Sequence, residues 1–82
     1  VGKIGKPQLD KAEEYILNGM KILDELKVKS LYSWGRLYLG ELYADADQKE
    51  KALESLKRAE TMFQEMGMDY WLARTRKALA EF

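Results

Sequence analysis

The chain matches itself. Displaced by 40 residues, positions 8–42 lie over positions 48–82 without a gap, and eight of the 35 pairs are identical. The identities are Gln8 with Gln48, Lys11 with Lys51, Ala12 with Ala52, Glu14 with Glu54, Glu25 with Glu65, Arg36 with Arg76, Leu39 with Leu79 and Glu41 with Glu81. Random pairing at ordinary residue usage gives roughly two or three. Apolar or small positions also stay so: Ile16 with Leu56, Gly19 with Ala59, Ile22 with Met62, Leu23 with Phe63, Leu26 with Met66 and Leu42 with Phe82. A fixed period of this length marks a supersecondary unit that is repeated, each copy burying its apolar face on its neighbour.

The period inside each copy is helical. Leu9, Ala12, Ile16, Gly19, Leu23 and Leu26 follow the i, i+3, i+4 spacing of one helix face and predict a helix over 8–26. A second is predicted over 30–44, capped by Ser30, with Leu31, Trp34, Leu39, Leu42 and Tyr43 inward. A third, over 48–66, starts from a capping Asp47 with Glu50 in its first turn, and stops at Gly67. Its buried stripe is Ala52, Leu56, Ala59, Phe63 and Met66, flanked by Leu53 and Met62. A fourth, over 70–82, is capped by Asp69 and turns Trp71 or Leu72, Thr75, Leu79 and Phe82 to one side. Residues 1–7, with two glycines, a proline and two lysines, have the composition of a flexible leader. No stretch alternates with a period of two, so the expected class is all-α.

Composition narrows the function. Eighty-two residues make one domain, and the chain has neither cysteine nor histidine. The usual zinc ligands, the commonest general base and the strongest side-chain nucleophile are thereby missing, and an enzyme is not expected. The carboxylate pairs Glu13/Glu14, Asp24/Glu25 and Asp45/Asp47 offer no facing geometry or calcium-loop glycine, so neither a metal nor a cofactor is expected. Fourteen basic residues balance fourteen acidic ones, which argues against nucleic acid as a partner. With no long apolar run and no signal-peptide pattern, no membrane association is expected and the chain reads as cytoplasmic.

One set of residues resembles the tetratricopeptide repeat (TPR). Leu39, Gly40 and Tyr43 on a first helix, followed by Ala52, Leu56 and Ala59 on a second, match the family's pattern of Leu-Gly, Tyr and small-large-small without an insertion. In the other copy Ala12, Ile16 and Gly19 take the small-large-small places, and Leu79 with Ala80 takes the Leu-Gly places. The chain departs from the family at Arg36 and Arg76, where a bulky apolar residue is usual, and in its period of 40 instead of 34. The longer period is similar to a variant with extended helices found in large bacterial and archaeal signalling proteins. The resemblance implies antiparallel helix hairpins stacked as a short right-handed α-solenoid of about four helices. In that register the helix at 8–26 is the second half of a repeat whose first half is missing, as in a fragment of a longer array.

The resemblance also implies a concave groove, lined by first helices, that binds a peptide or helix of a partner protein. By register it falls on Trp34, Leu37, Tyr38 and Glu41, and on Arg74, Lys77, Ala78 and Glu81 in the last helix. An aromatic and aliphatic patch beside basic groups suits an apolar side chain and an acidic group. The same spacing equally describes packing residues at Trp34 and Tyr38 and a solvated face at Arg74 and Lys77. The groove has no Asn for the form of the site that captures chaperone tails. Arg36 and Arg76 recur at one register place, which would suit an acidic partner, but they are expected instead to pack their stems with the heads in water, or to pair with a nearby carboxylate such as Glu41 or Glu81. Of the methionines, Met62 and Met66 belong to the buried stripe, leaving Met20 and Met68 as open positions.

The expected function is a protein-interaction module. Two alternatives stand beside it: self-association as a homodimer through uncovered terminal helices bearing Leu9, Ile16 and Leu23, and a regulatory arm of a larger signalling protein.

Overall fold

The computed structural model describes residues 5–82, which form four α-helices: α1 (Lys6–Glu25), α2 (Lys29–Asp45), α3 (Lys49–Met66) and α4 (Asp69–Ala80). Each boundary lies within two residues of the one that periodicity predicts. No strand occurs among the described residues, and no helix is long and apolar enough to cross a membrane. Of the expected leader, residues 1–4 lie outside the described part, while Lys6 and Pro7 already belong to α1. Gly5 caps that helix, its N–H donating to Gln8 Oε1 at 3.1 Å, and Pro7 sits in the first turn, where a missing N–H leaves no helical bond unmade.

The three connections share one backbone geometry, repeated every 20 residues. Lys27, Asp47 and Gly67 take left-handed φ values of 61°, 61° and 67°. Each is followed by a non-helical residue whose N–H reaches back across the end of the helix: Val28 to Leu23 O, Gln48 to Tyr43 O and Met68 to Phe63 O, at 2.8–3.0 Å. These are Schellman closures. The carbonyl of the same residue then accepts the first bond of the next helix, from Tyr32, Ala52 and Leu72. The caps expected at Ser30, Asp47 and Asp69 are therefore corrected to Val28, Gln48 and Met68, none with a side-chain cap bond. A residue that ends one helix and starts the next within a link of two or three residues leaves the polar side chain beside it no capping place. Glu50 and Asp69 still lie in first turns, where the helix dipole favours a carboxylate.

Packing runs along the chain, α1 on α2, α2 on α3 and α3 on α4. The core has two lobes. Leu9 and Met20 of α1 meet Leu39 and Tyr43 of α2 and Ala52 of α3, with Ile16, Tyr32 and Leu42 packed against them. Leu37 of α2 meets Leu56, Ala59 and Phe63 of α3 and Leu72 of α4, with Trp34, Met66, Trp71 and Leu79 around them. The stripe expected on α3 is buried from Ala52 to Phe63, with Met66 half-buried at its end.

Two glycines let α2 approach its neighbours. A Cβ on Gly40 would lie 2.6 Å from Leu56 Cδ2 and Cγ, and one on Gly35 would lie 2.5 Å from Met20 Cγ. Met20, expected to be open, is buried there, and only Met68 of that pair keeps partial exposure. Leu26, Leu31 and Phe82, expected inward, are exposed; Phe82 lies beyond the end of α4. In the place expected of Leu31, α2 buries Ser33, whose hydroxyl donates to Lys29 O at 2.8 Å, and Leu37. Of the residues the repeat pattern assigned to packing, Leu39, Gly40, Tyr43, Ala52, Leu56 and Ala59 are buried, whereas Ala12, Ile16, Gly19 and Leu79 are half-buried.

Candidate functional site

Helix α2 carries Trp34, Tyr38 and Glu41 at spacings of four and three, so they share one face. Helix α4 answers with Tyr70, Trp71 and Arg74, again within one turn of each other. The two faces meet through their side chains. The Trp34 and Trp71 rings lie 4.6 Å apart, tilted by 54°, and Tyr70 stands edge-on to Trp71 at 5.1 Å. Offset and edge-to-face contacts of this kind set the positive ring edge against the negative ring face.

Arg74 is the hub of the site. Its guanidinium carbon lies 5.5 Å from the centre of the Tyr38 ring and 5.6 Å from that of Trp71. Its Nη2 and Nε donate to Glu41 Oε1 and Oε2 at 3.1 and 3.3 Å. The bond to Glu41 is the chief reason the Arg74 pKa stands above its usual value, with the carboxylate charge second. A fork-to-fork pair fixes the orientation of both side chains and cancels both charges locally.

The register places are thereby separated. Trp34, Tyr38, Glu41 and Arg74 come together, and Ala78 is half-buried on α4. Leu37 is corrected to a core residue: it has no exposed surface and packs on Leu56, Phe63 and Leu72. Its neighbour Tyr38 is 40% exposed, because one residue on a helix turns the side chain through about 100°. Lys77 is exposed on α4, and Glu81 lies beyond the helix end. Sequence reasoning missed Tyr70 and Trp71 as members of the site. The signal was present, since they precede Arg74 by four and three residues, the two spacings that share a helix face. Trp34 Nε1 is buried with no acceptor among the described residues, as is Arg36 Nε.

The two repeated arginines find other partners than expected. Arg76 Nε pairs with Glu60 Oε2 of α3 at 3.1 Å, and Arg36 Nη2 donates to the Tyr32 hydroxyl at 3.1 Å. Neither uses Glu41 or Glu81.

A further concavity of about 590 Å³ lies between the α1–α2 link and α3, lined among others by Leu23, Val28, Tyr32, Arg58, Met62 and Met66. Lys27, Lys29 and Arg58 alternate around it with Asp24 and Glu65, so its rim has no single sign of charge. No group of three or more metal-ligating side chains gathers among the described residues.

The class these observations define is all-α, with four helices among the described residues and an aromatic face between the second and the fourth. Comparison with protein-family models, curated proteins and solved structures finds no match in any of the three.

Proposed function

We propose that the chain is a protein-interaction module of the tetratricopeptide type, a short right-handed solenoid that binds an extended peptide or a helix of a partner protein on the α2/α4 face. The observation that carries this reading is the grouping of Trp34, Tyr38, Tyr70 and Trp71 around one internally neutralised Arg74. Tyr38 and Tyr70 are 40% and 73% exposed, so the face offers rigid aromatic area to a partner at little entropic cost. The repeat register and the neighbour-to-neighbour packing of the helices support the solenoid part of the reading.

The pairing of Arg74 with Glu41 alters the ligand from the one the bare sequence suggests. An apolar or aromatic side chain of the partner lies on the rings and supplies the affinity, and Arg74 serves as part of the platform. Lys77, exposed on α4, is the cation left to read an acidic neighbour in the ligand.

Selection of a displayed random-peptide library on the immobilised chain tests the reading. Enriched peptides are expected to carry an apolar anchor and to lose at least about tenfold in affinity on the double change Tyr38→Ala and Tyr70→Ala. Both side chains are exposed, so the helical circular dichroism should be unchanged. Failure of any peptide to enrich, or enrichment indifferent to both tyrosines, removes the face as a binding site.

A further inference from the structure

Helix α1 carries a second seam that the described residues leave uncovered. Ala12, Tyr15, Gly19, Ile22 and Leu26 follow one another at spacings of three, four, three and four, the 3.5-residue period of a coiled-coil seam. Tyr15, Ile22 and Leu26 are 72%, 57% and 66% exposed, and a Cβ added to Gly19 would meet nothing within 4 Å. The same register places on α3 are covered: Ser55, the counterpart of Tyr15, is buried and donates its hydroxyl to Arg36 O of α2 at 2.7 Å, and Ala59, the counterpart of Gly19, is fully buried. What α2 does for α3, nothing among the described residues does for this side of α1.

Charge along the edge of the seam says what fits it. Lys11, Asn18 and Glu25, seven residues apart, line that edge, and all three are exposed. The ion pairs among the described residues, Arg74 with Glu41 and Arg76 with Glu60, engage neither Lys11 nor Glu25. Read backwards, the row positive, neutral, negative becomes negative, neutral, positive, which is its own complement. A second copy of α1 running antiparallel, with its two-fold axis beside Asn18, sets Lys11 against Glu25 of the other copy, and does so twice. The same register places small residues opposite large ones. Gly19 faces Tyr15 of the other copy, Ala12 faces Ile22, and the half-buried Ile16 and Leu23 close the second edge. A parallel pairing would set this edge against the Ile16 and Leu23 edge of the other copy and leave Lys11 and Glu25 without opposite charges.

We infer that the chain forms an antiparallel homodimer through this α1 seam. The competing arrangement, α4 of one copy stacked head to tail on α1 of the next, is disfavoured by Lys77. In the repeat register Lys77 stands where α2 presents Leu37 to α3, and stacking would press its ammonium into the apolar seam.

Light scattering behind a sizing column, run as a dilution series on the 82-residue chain, is expected to show a mass of two chains that falls to one on dilution. Lys11→Glu and Glu25→Lys, each alone, set like charges together twice and should raise the dissociation constant about tenfold or more. An equimolar mixture of the two variants restores the opposite-charge pairs and should recover the affinity of the unaltered chain. Ile22→Asp, at an exposed position, should abolish the dimer with the circular dichroism unchanged. A single-chain mass at every concentration overturns the inference, as do assemblies that grow beyond two chains. A dimer that ignores both charge reversals also overturns it. Tyr38→Ala with Tyr70→Ala should leave the mass untouched, so failure of the α2/α4 binding face and failure of this interface are told apart.

Discussion

Arg74 holds Glu41 with two parallel hydrogen bonds of 3.1 and 3.3 Å, tying the fourth helix to the second across the aromatic face. Both side chains are a third or more exposed, so screening by water limits the pair to less than about 1 kcal/mol of stability. Its larger effect is on recognition, since a guanidinium already filled by a carboxylate has little left for a ligand's.

Glu41→Gln separates those two effects. Thermal unfolding should show a loss of under about 1 kcal/mol, while Arg74 regains an unpaired charge over the Tyr38 and Trp71 rings. Binding of an acidic peptide should rise and become salt-dependent in the variant. Equal affinity of variant and unaltered chain for acidic peptides, at low and high salt, would show that the pair does not gate the face.

Tyr43 links three helices: its hydroxyl donates to Glu13 Oε2 of α1, and Lys51 Nζ of α3 lies 5.6 Å from its ring centre. Burial first, and the bond to Glu13 second, push its pKa up from 10 to about 12. Below pH 10 the phenol is protonated in the folded and the unfolded chain alike, and its contribution is fully present. Between pH 10 and about 12 the unfolded chain ionises first, so this contribution is lost as pH rises through the window. The stability difference between the unaltered chain and Tyr43→Phe should shrink steadily in denaturant titrations over this range. Parallel alkaline profiles would contradict the assignment.

Gly40 and Gly19 should respond to alanine with opposite signs. A Cβ at Gly40 meets the buried Leu56 side chain at 2.6 Å and the Leu56 backbone nitrogen at 3.3 Å, and the strain of parting α2 from α3 should cost about 1–3 kcal/mol. At Gly19 there is open space, so alanine adds helix propensity alone and should stabilise dilute protein by up to about 1 kcal/mol. Urea midpoints of the two variants check the signs directly.

The left-handed link positions offer a matching pair of changes. Lys27 has φ 61° with a Cβ, a conformation that disfavours an L side chain by roughly 1–2 kcal/mol. Lys27→Gly should therefore stabilise the fold by a few tenths to about 1 kcal/mol after the added freedom of the unfolded chain is subtracted. Gly67→Ala should destabilise it by about 1 kcal/mol, although nothing lies within 4 Å of the added methyl. Equal midpoints for the two variants would mean that the links do not hold their conformation in solution.

Much of this architecture is local and was therefore legible. Helix spans follow from apolar spacing along one chain, and the α3 stripe from Ala52 to Phe63 is buried as its period requires, because α3 is packed by both neighbours. Stripes on the flanking helices are less faithful guides. Leu31 and Leu26 fit the period and are exposed, whereas Met20 is buried because Gly35 on another helix leaves room for it. That Trp34, Tyr38, Glu41 and Arg74 share one face was legible from the register, while Tyr70 and Trp71 beside them were missed because register transfer from α2 points to their neighbours.

By itself, the sequence determined the all-helical class, the four spans and the 40-residue register, since each depends only on spacing and residue type along the chain. Tertiary structure decided that Arg74 is filled by Glu41, that Leu37 turns into the core while Tyr38 turns out, and that Lys27 and Asp47 take the left-handed place glycine takes at 67. The physical reason is that these depend on which helix faces meet and at what angle, and a residue's own neighbours in the chain do not contain that information.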